Sequence, residues 1–331
     1  MLLGRRKAAE RHELVSLIDQ GAIPSEQVAH AVKVAGLRPS PRVWGVFIDR
    51  VLLWMGSLAL TFAVLFFVAY NWAELGRWPR FGLVQVALVL AVGVAVWGNT
   101  HRWVARVALT AASLLVGVLL ALFGQVYQTG ADPWQLFFVW AVLILPWVLV
   151  SRFELLWLAW LALLNTALWL YFRTWGGALD VWFVSSDAIF WWLFVLNTTA
   201  LVVGEWGVQR RRWRVSPWTL RTLALGSGVP ITLLMMTLIV DATAFYMPAL
   251  GVYPLWLAAL YGGYRYGRPD LLLVAGGCVS LICVVTLGLA RRLLWQGEWQ
   301  PGSLLMLALA VLVMGAGAVV WLKRLHTEAP S

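Results

Sequence analysis

Charge is scarce in this chain: only 12% of its 331 residues are Asp, Glu, Lys or Arg, about half the share of a typical soluble domain. A surface so poor in charge excludes an ordinary water-solvated fold. Cysteine and histidine are also rare. Cys278 and Cys283 stand five apart in one apolar run, about 140° apart around a helix of 3.6 residues per turn, so they form no compact metal clamp. His12, His30, His101 and His326 are scattered without ligand spacing, and no metal or cofactor is expected. There is no G-x-S-x-G, H-E-x-x-H or phosphate-binding loop to suggest an enzyme. No Asp, Glu, Lys or Arg falls near the centre of an apolar run, which argues against a proton- or ion-coupled carrier, since such groups mark ion pathways.

What is present is hydrocarbon: 62% of residues are hydrophobic and the mean hydropathy is +0.80. A span needs about 20 mostly apolar residues to cross a core of about 30 Å. Ten segments qualify: 51–70, 81–98, 107–123, 136–150, 155–171, 188–203, 222–240, 253–264, 271–290 and 303–322. The eighth is the shortest and is rich in Tyr and Gly. The expected fold is all-α, a polytopic transmembrane bundle of about ten spans (49–326) behind a basic cytoplasmic helical hairpin (1–48), with a short cytoplasmic tail (327–331). No cleavable signal is expected, because some 45 polar or mixed residues precede the first apolar run, and that run then stays as an anchor. With ten spans, twenty of the 25 Lys and Arg fall on one side of the membrane and five on the other. The richer side is cytoplasmic by the positive-inside rule, which places both termini inside. The net charge of +10 therefore reads as loop charge that orients helices and meets anionic headgroups, and no nucleic-acid partner is expected. Several of the 23 Trp, among them Trp72, Trp78, Trp97, Trp103, Trp134, Trp218 and Trp321, sit near span ends, as interfacial aromatics do.

Ahead of the first span, Leu14, Leu17 and Ile18 form a helical stripe that Gly21 terminates. Pro24-Ser25-Glu26 opens a second helix carrying Val28, Ala31, Val32 and Ala35, and Gly36 with Pro39-Ser40-Pro41 ends it. A hairpin of this size buries too little to be stable alone, and is expected to dock on the membrane domain, a second copy or a partner.

The run Leu17-Ile-Asp-Gln-Gly21-Ala-Ile-Pro-Ser-Glu-Gln27, then Gly56-Ser-Leu-Ala, Ala69-Tyr-Asn-Trp72, Gly124-Gln-Val-Tyr-Gln128 and Trp140-Ala-Val-Leu-Ile-Leu-Pro146, resembles the bacterial predicted membrane proteins catalogued as domain of unknown function 2157. The resemblance covers roughly residues 10–150. It implies a bacterial inner-membrane protein and brings no activity with it. In that family's pattern Asp often follows Asn-Trp closely, whereas Ala73 and Glu74 follow here.

Three groups of residues could carry function. Asn71, Trp72, Gln125, Tyr127, Gln128 and Asp132 are expected on the outer face, where amides, a phenol and an acid could cup a headgroup, a sugar or a partner's backbone. The competing reading has the amides on loop carbonyls and the rings in the headgroup belt. Asn165 and Asn197, accompanied by Thr166, Thr198 and Thr199, intrude into the fifth and sixth spans, either as interhelical glue or along a substrate path. Arg210, Arg211, Arg212 and Arg214 form the densest basic cluster, suited to anionic lipid or an acidic partner. Arg152 and Glu154 occupy a tight cytoplasmic turn, where they could pair with each other or cap helix ends. Asp180, Asp187 and Asp241 are acids at or near the outer face: with Asp132, the first two could serve an enzyme acting on a lipid-linked substrate, though isolated loop acids are usually just solvated. Small-residue ridges, Ala87-Ala91-Ala95 and Ser113-Gly117-Ala121, let spans pack closely.

The expected partners are the bilayer and either another membrane protein or further copies of this chain. The function expected is that of a non-enzymatic membrane scaffold, assembly or sensor component. A transporter or lipid flippase is the alternative, because ten spans could divide into two inverted halves of five.

Overall fold

The computed structural model describes residues 13–34, 41–97, 102–175, 188–210, 215–241, 247–295 and 301–327. Among these residues the regular elements are all helical. Helix α1 covers 13–19 and α2 covers Val28–Val34, preceded by a single 3₁₀ turn, Ser25–Gln27. Between them Gly21 takes φ +71°, a left-handed conformation that closes α1 and that a Cβ would oppose. Gly36, Pro39 and Ser40, expected to end α2, lie outside the described residues. Helix α3, Pro41–Tyr70, is followed by α4, Arg77–Trp97, and α5, Arg102–Tyr127. Then come α6, Pro133–Ser151, α7, Glu154–Trp175, α8, Ala188–Gln209, and α9, Pro217–Val240. Helices α10, Ala249–Gly262, α11, Leu271–Ala290, and α12, Pro301–Thr327, complete the chain.

The sequence explains the helix ends. Proline occupies an N-terminal position of α6 and α9 (Pro133 and Pro217), where its missing N–H costs nothing. The Ser216 hydroxyl accepts from the Thr219 amide at 3.4 Å, and the Asp270 carboxylate accepts from the Leu272 amide at 3.1 Å; both cap helix starts. Arg152, with φ 47°, ends α6 in the left-handed region. The 30 residues of α3 make a rod of about 45 Å, longer than the hydrocarbon core. It runs unbroken from Pro41 through the 48/49 position where the membrane domain was expected to begin.

Nine described helices, α3 to α9, α11 with the turn after it, and α12, are long and apolar enough to cross a membrane. The eighth expected span, 253–264, is α10, and its α-helical part is only 14 residues long. The reason is local: the helix widens into a π turn, Gly263–Gly267, so 249–267 is continuous helix but only partly α.

The chain divides into two compact units, Met1–Leu122 and Phe123–Ser331. In the first, α3 packs on α4, and α5 carries the largest buried set, including Ser113 and Gly117 of the expected ridge. The third ridge residue, Ala121, is exposed. In the second unit α6 pairs with α7 and α8 with α9, α10 and α11 pack against α9 and each other, and α12 packs against α11. One apolar cluster joins Ile231, Leu234 and Leu238 of α9 to Ala249 and Tyr253 of α10 and Val284 of α11. Another joins Ala224, Leu260, Tyr264, Val274 and Leu325. Together they show α10 running antiparallel to α9 over most of its depth.

Candidate functional site

The polar residues of the second unit converge on α9. Its middle reads Gly226-Ser-Gly-Val-Pro230, and Pro230 removes the amide that would bond the Gly226 carbonyl. Glycine is needed here for close approach: a Cβ on residue 226 would lie 2.9 Å from the Asn197 Oδ1. One on residue 228 would lie 2.8 Å from the Trp256 ring.

Asn165 of α7 and Asn197 of α8 form a reciprocal amide pair. The Asn197 Nδ2 donates to the Asn165 Oδ1 at 2.6 Å, and the Asn165 Nδ2 donates back to the Asn197 Oδ1 at 3.2 Å. Each Nδ2 also donates to the carbonyl one turn earlier, Leu161 and Leu193, both at 2.8 Å. The two amides together carry four N–H groups, and all four are engaged within the protein. Asn197 is only 5% exposed.

Deeper along α9 the hydroxyls chain together. Thr198 and Ser227 share a hydrogen bond at 2.6 Å, and the Trp256 indole N–H donates to the Ser227 Oγ at 3.0 Å. One turn further, Ser280 of α11 bonds Thr232 at 2.6 Å and the Tyr253 phenol at 2.9 Å. These contacts tie five helices together through side chains that hydrocarbon alone would leave unsatisfied. Thr166 instead bonds the Ala162 carbonyl of its own helix. Only the two asparagines and the threonines beside them stood out in the sequence. Ser227, Thr232, Ser280, Tyr253 and Trp256 did not, because a hydroxyl or aromatic residue is ordinary in an apolar run.

At the end of the unit where α9 begins, ionised groups replace hydroxyls. Arg221 pairs with Asp270 through two hydrogen bonds of 2.9 and 3.2 Å. Glu205 accepts from the Tyr264 phenol at 2.8 Å and from Arg268 at 3.1 Å. Glu154, expected beside Arg152, reaches the start of α9 and accepts from the Ser216 amide at 3.0 Å and the Thr219 hydroxyl at 2.6 Å. A carboxylate there also meets the positive end of the helix dipole. Of the basic cluster, Arg210 lies 4.4 Å over the Trp206 ring. Arg211, Arg212 and Arg214 lie outside the described residues, as do Asp180 and Asp187.

The expected outer-face residues fall in both compact units. In the first, the Asn71 Nδ2 donates to the Phe67 carbonyl at 2.9 Å and so closes the end of α3. The Trp72 ring lies 3.9 Å beneath the Arg80 guanidinium, and its carbonyl accepts from Arg80 Nη2. The Asn-Trp pair thus builds the α3–α4 turn. In the second unit, Gln125, Tyr127 and Gln128 are exposed at the end of α5, with Gln128 at φ 44°. Phe123 and Tyr127 lie 4.8 Å apart. Asp132 precedes α6, and its backbone carbonyl accepts from the Gln135 amide. Beside it Trp134 meets Tyr171 edge-on at 5.1 Å, an aromatic pair that the sequence did not single out.

Helices of this length, with intramembrane amides and hydroxyls turned toward one another, define a polytopic α-helical membrane protein. Residues 16–157 match the model of the predicted membrane protein family DUF2157, the stretch from the hairpin into α7 on which the resemblance was read. No curated protein and no solved structure matches the chain.

Proposed function

We propose that the protein is a non-enzymatic component of a bacterial inner membrane, a scaffold, assembly factor or sensor whose hairpin meets a partner or a second copy. The observation that carries this reading is the closed amide pair: every N–H of Asn165 and Asn197 is engaged within the protein, leaving no donor for a passing substrate. The exposed Val15, Leu17 and Val34 of the hairpin supply an apolar surface for a cytoplasmic partner. The compact units hold three and six of the nine described membrane-length helices, or three and seven spans when α10 is added. That uneven division does not follow two inverted halves of five, so the parity argument for a transporter or flippase loses its support. The antiparallel course of α10 along α9 supports ten spans with both termini in the cytoplasm.

The test is affinity purification of the full chain from native membranes after crosslinking. A stoichiometric partner or homo-oligomer that is lost on replacing Val15, Leu17 and Val34 by Ser is the expected result. Recovery of the chain alone, as a monomer, would contradict the proposal.

A further inference from the structure

Between α10, α11 and α12 lies a groove of about 500 Å³. It runs along α11 from Val274 to Val285, eleven residues or roughly 16 Å at the α-helical rise. That is about half of a hydrocarbon core some 30 Å thick, the depth of one leaflet. Leucine, isoleucine, valine and methionine side chains, Cys278 and the open backbone at Gly317 line it. One end is closed by Tyr261 and Trp321, whose rings stack with centroids 5.6 Å apart. Basic groups gather just beyond that pair. Arg324 is exposed in the last turn of α12, seven residues after Gly317 and so on the same face of the helix, and Arg265 reaches across to the Leu325 carbonyl at 3.2 Å.

The geometry points to a binding site for one anionic phospholipid, with an acyl chain along α11 and its phosphate at Arg324. Hydrocarbon length, apolar lining, aromatic collar and basic rim occur in the order in which a leaflet lipid presents chain, ester region and headgroup. A passing annular lipid meets no such ordered set on a smooth helix face. The inference goes beyond the proposed function and does not depend on it.

A Cβ on residue 317 meets no atom within 4 Å, so a side chain can start there, and Gly317→Phe directs a ring into the groove that Gly317 lines. The full chain, stripped by detergent exchange, is incubated with mixed micelles of equal phosphatidylglycerol and phosphatidylcholine. It is then re-isolated, and retained lipid is counted and identified by mass spectrometry of the intact complex. The expected result is one phosphatidylglycerol per chain, lost in Gly317→Phe while the melting temperature holds. In Arg324→Gln the preference for phosphatidylglycerol falls about fivefold, the effect of one charge near the headgroups, while Lys323→Gln, on the far side of α12, changes it less. Equal retention by wild type and Gly317→Phe overturns the proposal. So does a Phe variant that changes oligomeric state with its lipid count intact, which would place a second copy in the groove. A second readout needs no Phe variant: with Cys283→Ser, phosphatidylglycerol is expected to slow N-ethylmaleimide labelling of Cys278 relative to phosphatidylcholine, and equal rates contradict the site.

Discussion

At Asn165 and Asn197 two amides sit where hydrocarbon offers no hydrogen bond, and each is the other's solvent. Removing one leaves the other half-satisfied, which costs about 1–3 kcal/mol for a buried polar group. Asn165→Leu and Asn197→Leu should each destabilise the bundle, and the double variant should cost less than their sum. The expected coupling is about 0.6–1.7 kcal/mol, the range for interhelical hydrogen bonds in membranes, read from equilibrium unfolding in mixed micelles. Strict additivity would mean the amides do not pair. The neighbouring glycines set the spacing. Gly228→Ala drives a methyl against an indole that its bond to Ser227 holds in place. A loss of about 1–3 kcal/mol, typical of overpacking, is the expected outcome of the same measurement. Gly226→Ala displaces the Asn197 amide and should erase the coupling as well as lower stability. Gly56→Ala, where a methyl meets nothing within 4 Å, serves as the neutral comparison.

At the scale of helices, the start of α9 is held by a residue on α7. Glu154→Ala removes the acceptor of the Ser216 amide and the Thr219 hydroxyl. The expected consequence is faster hydrogen exchange in the first turn of α9, with the middle of the helix unchanged; unaltered exchange would show that the Ser216 cap suffices alone. Pairs like this mark the limit of sequence reading. The apolar runs and the hairpin breakers Gly21 and Pro24 were legible because each depends on neighbours within one or two turns. Asn165 and Asn197 were legible as anomalies, since an amide in an apolar run demands a partner. Glu154 with Thr219, Glu205 with Arg268 and Arg221 with Asp270 lie 65, 63 and 49 residues apart, and no local pattern links them. Asn71 and Trp72 stood out by resemblance, and the geometry gives them work within the α3–α4 turn. The eighth run was legible as the weakest, short and rich in Tyr and Gly, but the π turn that shortens the α-helical part of α10 was not.

For the whole molecule, the course of α10 decides the topology. If α10 crosses the membrane, a phosphatase fused after residue 241 is active outside, one fused after residue 268 is inactive, and a fluorescent protein at the C-terminus matures in the cytoplasm. An active phosphatase after residue 268 would reduce the count to nine spans. Whether the interior is closed bears most directly on function. Single cysteines at 165 and 197, in a background with Cys278→Ser and Cys283→Ser, would be exposed in intact membranes to an impermeant maleimide, with a cysteine at 132 as the outer control. A packed, non-conducting bundle predicts labelling at 132 and none at 165 or 197, before and after permeabilisation. Labelling at both interior positions would reveal a water-filled path between α7 and α8 and contradict the reading of the asparagines as a closed pair.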